Sequence, residues 1–396
     1  MASIYENSHV TIAATFARNS NDGLFSNRAR AVHAKRLKYH PHLHVMESVQ
    51  LFPQGPHIKE KDEWPLLTRA WVYQERRLSP RIIHYGKNQV YWQCQHHFAS
   101  EDGCEDIVLS GNPDIPIILD EWREPRSFNW HASVEDYTNL KLTYETDRLP
   151  AIAAVAERMS QTLRKDDVYI AGVWKNSIIS DMLWCSDHGH STPSHQREAP
   201  SWSWVSSHGT GVSYFRTKRR SDTVELVSLD YTLVGAPYLG RVRNASVVLK
   251  APTLTITDSE EQSQVKVRDL REDPNNYFPD ILTRKYGPKF STASLDFPTN
   301  DLPGLGFAPV NILTDYDLTT ASPPFETDTA LKIQILQLDQ AFIQGVVLRS
   351  LPGTSRTYER FGLVVMHGCA CTGKQETCEM ARRFVQSLPS EELKIM

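Results

Sequence analysis

The chain has few cysteines, no long apolar run and no strong excess of either charge. Its 396 residues include six cysteines, which are too sparse for a disulfide scaffold and are typical of reduced thiols. No stretch of about 18 apolar residues is present to span a bilayer. A signal peptide is not expected either, because Glu6, Asn7, Ser8 and His9 interrupt the apolar core that it needs. We therefore expect a cytoplasmic protein.

Composition and charge are those of an ordinary globular protein. The formal net charge is −4, with 40% hydrophobic and 23% charged residues. A weakly acidic chain has no overall attraction to nucleic acid or to an anionic membrane, so neither is an expected partner. The sequence contains neither a phosphate-binding loop with its lysine nor a G-x-S-x-G elbow, and no cofactor is expected.

The apolar pattern predicts a mixed α+β protein arranged in successive regions. Helix and strand alternate in the first region, the middle region is helical, and the C-terminal region is antiparallel and β-rich. The predicted boundaries are 1–110 for the first region, 111–129 for a proline-punctuated linker, 130–198 for the helical region, 199–372 for the β-rich region with a loop-rich insertion near 258–330, and 373–396 for the tail.

The stretch from Arg69 to Cys94 is the most informative part of the chain. Leu67, Ala70, Trp71, Gln74 and Leu78 recur at helical spacing, and the Ser79-Pro80 pair ends the helix because proline disfavours a helical residue before it. Strands are then predicted at Ile82–Tyr85 and Val90–Cys94, joined by four turn-forming residues as a hairpin.

Further elements are predicted along the rest of the chain. Two apolar stripes predict helices, the first capped by Asp147 and running through Leu163, the second running from Ala171 to Cys185. Trp202 and Trp204 alternate as in a strand and are expected to belong to the core. Short helices are predicted after Thr377. The predicted C-terminal strands are Val224–Leu229, Ser246–Ile256, Leu331–Leu338, Ala341–Leu348 and Arg360–Met366.

Three clusters of histidine and cysteine have the residue types of a metal site. They are His40, His42 and His44, then His367, Cys369, Cys371 and Cys378, and finally Cys185, His188, His190 and His195. None has the spacing of a standard zinc motif. Surface histidines and buried, inert thiols explain these clusters better, so no metal is expected.

Several blocks resemble the fungal heterokaryon-incompatibility (HET) domain proteins. The sequences RAWVYQE at 69–75, LSPR at 78–81 and WQC at 92–94 are similar to the family's RAWxxQE, LSPR and WEC. Other similar blocks occur in the family's order and are Ile4-Tyr5, Thr11–Ala14, Gly23–Phe25, Leu142-Thr143, Asp147–Ala151, Tyr169–Trp174 and Ala199–Trp204.

The resemblance also shows two departures. The family's N-terminal half has no counterpart, so the resemblance implies an N-terminally shortened member with part of a HET-type α/β domain. Gln93 stands where the family has glutamate, which replaces an acceptor-only carboxylate by a neutral amide. The family's domain resembles Toll/interleukin-receptor domains, some of which cleave NAD, but no residue of this chain is assigned that activity.

Candidate site residues are concentrated in the Arg69–Cys94 stretch. Glu75 and His84 are the candidates for proton transfer, because burial can raise a carboxyl and histidine titrates near neutrality. Substrate-binding candidates are Arg69, Trp71, Gln74 and Trp92. The alternative, which we favour, is structural: Arg69 pairs with Glu75, and Trp71 and Trp92 belong to the core.

Three functional hypotheses follow, of which the simplest is a non-catalytic interaction module. The resemblance implies a HET-like protein of fungal nonself recognition and regulated cell death, in a shortened or regulatory form, whose partner is another fungal protein. The alternative is an enzyme that reuses the scaffold as an isomerase, cyclase or hydrolase on a small molecule, for example in secondary metabolism, with a pocket at a domain junction.

Overall fold

The fold is mixed α+β, as predicted, and the chain divides into two compact units. The computed structural model describes residues 2–25, 64–87, 89–94, 97–101, 106–108, 126–186, 199–207, 211–214, 224–256, 292–295, 310–314, 331–338, 342–367 and 385–396. The first unit comprises residues 1–125 and 140–143, and the second comprises residues 126–139 and 144–396.

The first unit is built on a five-stranded sheet. Its helices are α1 (Ala2–Glu6) and α2 (Ala70–Leu78), with a 3-10 turn at Pro65–Thr68; its strands are β1 (Thr11–Ala13), β2 (Arg81–Tyr85), β3 (Val90–Cys94), β4 (His97–Ser100) and β5 (Asp106–Val108). The strands lie in the order β1-β2-β3-β4-β5. The β1–β2 pair is parallel and the other pairs are antiparallel.

The predicted helix and hairpin are confirmed. Helix α2 buries Ala70, Val72, Tyr73 and Gln74, and it ends at Ser79, whose backbone N–H and hydroxyl both donate to the Glu75 carbonyl. In the hairpin, strands β2 and β3 pair without a register shift. Side chains that alternate between the two faces produce a buried inner face and a more exposed outer face.

The second unit begins with short elements. They are α3 (Arg126–Thr138), α4 (Ala153–Thr162), β6 (Tyr169–Ile170), β7 (Val173–Trp174), α5 (Ile178–Asp181), β8 (Trp184–Ser186) and β9 (Val212–Tyr214). Strands β6 and β7 pair antiparallel, as do β8 and β9. Five tryptophans of this unit are fully buried, namely Trp130, Trp174, Trp184, Trp202 and Trp204.

The rest of the second unit is a large sheet. Its strands are β10 (Glu225–Leu233), β11 (Val242–Ile256), β12 (Thr292–Leu295), β13 (Val310–Thr314), β14 (Leu331–Leu338), β15 (Phe342–Ser350), β16 (Thr357–His367) and β17 (Ser390–Ile395). Strand β17 pairs antiparallel with β11 and parallel with β16. Because β11, β14, β15 and β16 are also joined in that order, β17 closes a ring of five strands.

Both predicted helices of the middle region need correction. The first begins at Ala153 rather than after Asp147, which lies in a 3-10 turn, so its Ile152 cap has no side-chain hydrogen bond. The second is wrong: the residues from Ala171 to Cys185 form β7, a 3-10 turn, α5 and β8. The residues of the predicted stripe are buried, but they lie in several short elements, and their spacing of three or four residues mimics a helical stripe.

Two further expectations are corrected in part. Trp202 and Trp204 are core residues, as predicted, but they lie in turns rather than a strand. The tail contains strand β17 in place of a second helix. The predicted strands at Val224–Leu229, Ser246–Ile256, Leu331–Leu338, Ala341–Leu348 and Arg360–Met366 are confirmed as β10, β11, β14, β15 and β16. The insertion near 258–330 contains β12 and β13.

The turn between β6 and β7 explains why no helix forms there. Its two residues, Ala171 and Gly172, have φ of 48° and 87°, as a type I′ hairpin turn requires. The Gly172 carbonyl accepts hydrogen bonds from the indole nitrogens of Trp130 at 3.0 Å and Trp204 at 2.6 Å. The turn is therefore held by buried tryptophans.

We expect two small substitutions in this turn to differ strongly in their effect on the free energy of unfolding. A Cβ on Gly172 would lie 2.8 Å from Trp204 Nε1, so Gly172→Ala should destabilise the protein by about 2–4 kcal/mol. Ala171→Gly removes a left-handed alanine and should change stability by less than about 1 kcal/mol. Urea unfolding followed by near-ultraviolet circular dichroism measures both. Equal losses would contradict the conformational argument.

Candidate functional site

The candidate site in the first unit is centred on His84, whose ring lies on the inner face of the sheet. His84 is fully buried, with 0% of its surface exposed. Its Nδ1 lies 3.0 Å from Thr15 Oγ1, and its Nε2 lies 2.9 Å from Gln93 Oε1. Strand pairing explains this arrangement, because β1 and β3 flank β2 on its two sides.

Hydrogen-bond chemistry decides the tautomer of His84. Gln93 Oε1 also accepts a hydrogen bond from Arg76 Nε at 3.1 Å, so two donors face this oxygen. An amide oxygen only accepts; the proton of the neutral imidazole therefore sits on Nε2, and Nδ1 accepts from the Thr15 hydroxyl. Thr15, His84, Gln93 and Arg76 form a continuous chain from the turn after β1 to α2, which we call the His84 network.

Aromatic rings enclose the network. The ring centroid of Trp64 lies 5.5 Å from that of His84 and 5.0 Å from that of Tyr91. Tyr91 stacks on Phe98 with centroids 5.6 Å apart. Such an apolar setting disfavours a charge on the imidazole.

The electrostatics follow from this setting. The pKa of His84 is lowered to about 3, first by burial and then by the nearby positive charge of Arg76, while the hydrogen bond to Gln93 opposes the shift. His84 is therefore neutral at physiological pH. Both ring nitrogens are hydrogen-bonded. His84 therefore links the turn after β1 to β3 and, through Gln93, to α2.

Glu75 lies in a different environment, on the half-buried side of α2. Burial raises the pKa of its carboxyl, whereas a hydrogen bond from the Tyr5 hydroxyl and the positive charge of Arg69 lower it. The pKa of Tyr5 is raised in turn by burial and by the Glu75 charge. A carboxyl of this kind can exchange a proton closer to neutrality than an ordinary glutamate.

Hydroxyl groups join the end of α2 to β1 beside Glu75. Ser79 Oγ lies 2.7 Å from Thr11 Oγ1, which lies 3.2 Å from Ser8 Oγ. Ser79 also donates to the Glu75 carbonyl at 2.7 Å. This chain fixes the position of the Glu75 backbone relative to β1.

The structure brings some of the predicted site residues together and separates others. Arg69, which caps α2 at its start, is exposed and acts electrostatically on Glu75. Gln74 is buried and Trp71 is half-buried on α2. Trp92 points to the outer face of the sheet, opposite to His84, and is 37% exposed, so the expectation that it belongs to the core is wrong. Proton transfer by Glu75 and His84 stays a prediction. Substrate binding stays a prediction for Arg69, Trp71, Gln74 and Trp92.

Sequence reasoning missed several members of the site. Thr15, Tyr5 and Trp64 were not candidates, and Arg76 was only noted as one of several nearby arginines. Gln93 was noticed only because it departs from the family pattern. The hairpin register pairs it with Ile82, which places it on the same face as His84. Thr15 gave no local signal, because it is 69 residues from His84 in sequence.

The part of the chain that the structure describes contains no group of three or more His, Cys, Asp or Glu side chains arranged to hold a metal ion. The cluster of His40, His42 and His44 lies outside the described residues, as do Cys369, Cys371 and Cys378 and the histidines after Cys185. Among the helices of the described ranges, none has the length and apolar character needed to cross a membrane.

Comparison with known proteins gives a family match within the N-terminal part. Residues 1–75 match the family model described as heterokaryon incompatibility protein (HET). This match confirms the predicted resemblance over α1, β1 and most of α2, a range that includes Tyr5, Thr15 and Glu75. His84 and Gln93 lie beyond it. No curated protein and no solved structure matches the chain.

Proposed function

We propose, on the basis of the match between residues 1–75 and the heterokaryon incompatibility family, that this chain acts in fungal nonself recognition leading to regulated cell death. The match carries the proposal, and it covers the elements that hold Glu75 and Thr15. In this role the protein works in the fungal cytoplasm, and its partner is another fungal protein.

The geometry of the first unit supports recognition better than proton transfer. His84 is fully buried, neutral and bonded through both ring nitrogens, so it connects structural elements. Polar and aromatic side chains such as Arg69 and Trp92 lie on the surface, where a protein partner can contact them. A rigid interior with an exposed aromatic surface suits an interaction module.

Forced expression in a fungal host tests the proposal. We expect growth arrest and loss of viability when the chain is induced, because activation of an incompatibility protein leads to cell death. Protein levels are measured in the same cultures by immunoblotting. Normal growth at a high, confirmed level of folded protein would contradict the proposal.

An enzyme acting on a small molecule is the second candidate, and one observation favours it. The pKa of Glu75 is raised by burial, and its carboxyl lies beside the Tyr5 hydroxyl. Glu75→Gln keeps the shape of the side chain and its capacity to accept from Tyr5 but removes titration. Glu225→Gln, at an exposed site on β10, is the matched control.

The two candidates predict different results in the same growth assay. If Glu75 transfers a proton, Glu75→Gln abolishes the arrest while Glu225→Gln preserves it. If recognition alone is required, both variants arrest growth to the same extent. Thermal unfolding of both purified variants excludes a loss of fold as the cause.

A further inference from the structure

The outer face of the first unit carries an apolar row that crosses four strands. The pairing registers align Ile12 with Ile83, Ile83 with Trp92, and Trp92 with Ala99. Ile12 is 58% exposed and Trp92 is 37% exposed, although both are large apolar residues. Row members on neighbouring strands are close enough to form one continuous patch.

The two faces of this sheet differ in how they are covered. On the inner face, Tyr91, Gln93 and Phe98 are buried, with Trp64 and Arg76 packed against them. Among the described residues, no comparable packing covers Trp92 on the outer face, where it is 37% exposed. A contiguous exposed apolar patch on a sheet marks an interaction surface.

We propose that this outer face binds a second copy of the same chain. The side chains at one end of the strands are complementary in charge and hydrogen bonding to those at the other end. Arg81 and His97 flank it at one end of their strands, and Tyr85 and Glu101 flank it at the other. An interaction between identical faces needs this kind of self-complementarity.

A two-fold axis along the apolar row brings these side chains into contact. It places Arg81 of one copy over Tyr85 of the other, where the guanidinium can lie on the ring. It also places His97 opposite Glu101, where the imidazole can donate to the carboxylate. Trp92 lies at the axis and meets its own counterpart. Aligned sheet-on-sheet packing accommodates this geometry.

The size of the patch predicts a weak dimer. Four strands spaced about 4.8 Å apart and five residues of about 3.3 Å each cover roughly 300 Å² per copy. A stable interface buries about 800 Å² per partner, so we expect a dimer that forms only at high protein concentration. The inference goes beyond the proposed function, since it depends only on the geometry of the sheet.

Sedimentation equilibrium of the full chain tests the inference, at concentrations from about 5 μM to about 500 μM. We expect dimer to accumulate over this range. Trp92→Asp and Ile12→Asp should each weaken association at least about tenfold. Tyr144→Asp, at a 67% exposed site in the second unit, is the matched control and should leave it unchanged.

Two further measurements test the orientation. Cys94, half-buried on the outer face, should react more slowly with N-ethylmaleimide as the protein concentration rises. Glu101→Lys should weaken association, and adding His97→Glu should restore it, because the charges are then exchanged across the axis. A monomer at the highest concentration, a dimer indifferent to Trp92→Asp and Ile12→Asp, or no recovery in the charge exchange would overturn the proposal.

Discussion

Acidification from pH 6.5 to pH 3 is expected to remove about 4 kcal/mol of stability from the first unit through His84 alone. The folded state holds the His84 pKa at about 3, against 6.5 for the unfolded chain. Between these values the unfolded state binds more protons, so stability falls as the pH falls. The slope is about 1.4 kcal/mol per pH unit.

Other groups near α2 modify this profile. The raised pKa of Glu75 acts in the opposite direction, because a carboxyl protonated more readily in the folded state favours folding as the pH falls. Arg76 and Gln93, which face His84, keep their charge states over the whole range. Hydrogen exchange of the backbone amides of β2 and β3 at a series of pH values isolates the first unit.

Gln93→Glu is the matched variant for this prediction. A carboxylate in contact with the imidazole and with Arg76 favours the charged ring and should bring the His84 pKa back to 6.5 or higher. Because the His84 pKa rises toward its unfolded value, the variant should be less sensitive to acid than the native protein. Nitrogen chemical shifts of the His84 ring report its protonation directly. An unchanged profile would show that Gln93 does not govern His84.

Removal of the Asp181 carboxylate is expected to cost about 3–5 kcal/mol in the second unit. Asp181 is fully buried, and its two oxygens accept three hydrogen bonds. The donors are His131 Nε2 at 2.8 Å, the backbone nitrogen of Trp174 at 2.9 Å and the Ser177 hydroxyl at 3.0 Å. Asp181→Ala leaves all three without an acceptor, and each unsatisfied buried donor is destabilising.

The same carboxylate organises neighbouring elements, which enlarges the expected effect. His131 stacks on Tyr214 with ring centroids 3.9 Å apart, so the histidine connects α5 to β9. Ser177 also accepts from Arg164 at 3.1 Å. Loss of Asp181 therefore disturbs α3, α5 and the β7 backbone together. Calorimetric unfolding measures the total loss, and exchange of the Trp174 amide measures the local one.

Asp181→Asn keeps the shape of the side chain but removes its negative charge and part of its capacity to accept hydrogen bonds. The amide oxygen can accept from the Trp174 nitrogen and Ser177, and His131 can move its proton to Nδ1 and accept from the amide. We expect a loss of about 1–2 kcal/mol, well below that of Asp181→Ala. Equal losses in the two variants would mean that the amide cannot replace the carboxylate, so that the negative charge rather than the shape of the side chain explains the role of Asp181.

Local patterns explain which elements were predicted correctly. Helix α2 and the hairpin of β2 and β3 have clear signals, because proline ends the helix and a short turn joins two alternating strands. The segment from Ala171 to Cys185 has no such signal. Its apolar residues recur at helical spacing, but they are buried in several short elements, and only the packing of the tryptophan-rich core decides this.

The sequence by itself determined the α+β class, α2, the hairpin and the family resemblance of the N-terminal part, because each depends on residues close together in the chain. The tertiary structure alone decided the environments of the buried polar groups. Thr15 and His84 are 69 residues apart, and His131 and Asp181 are 50 apart. Burial and hydrogen bonding set the protonation of such groups, and both arise only when distant segments pack together.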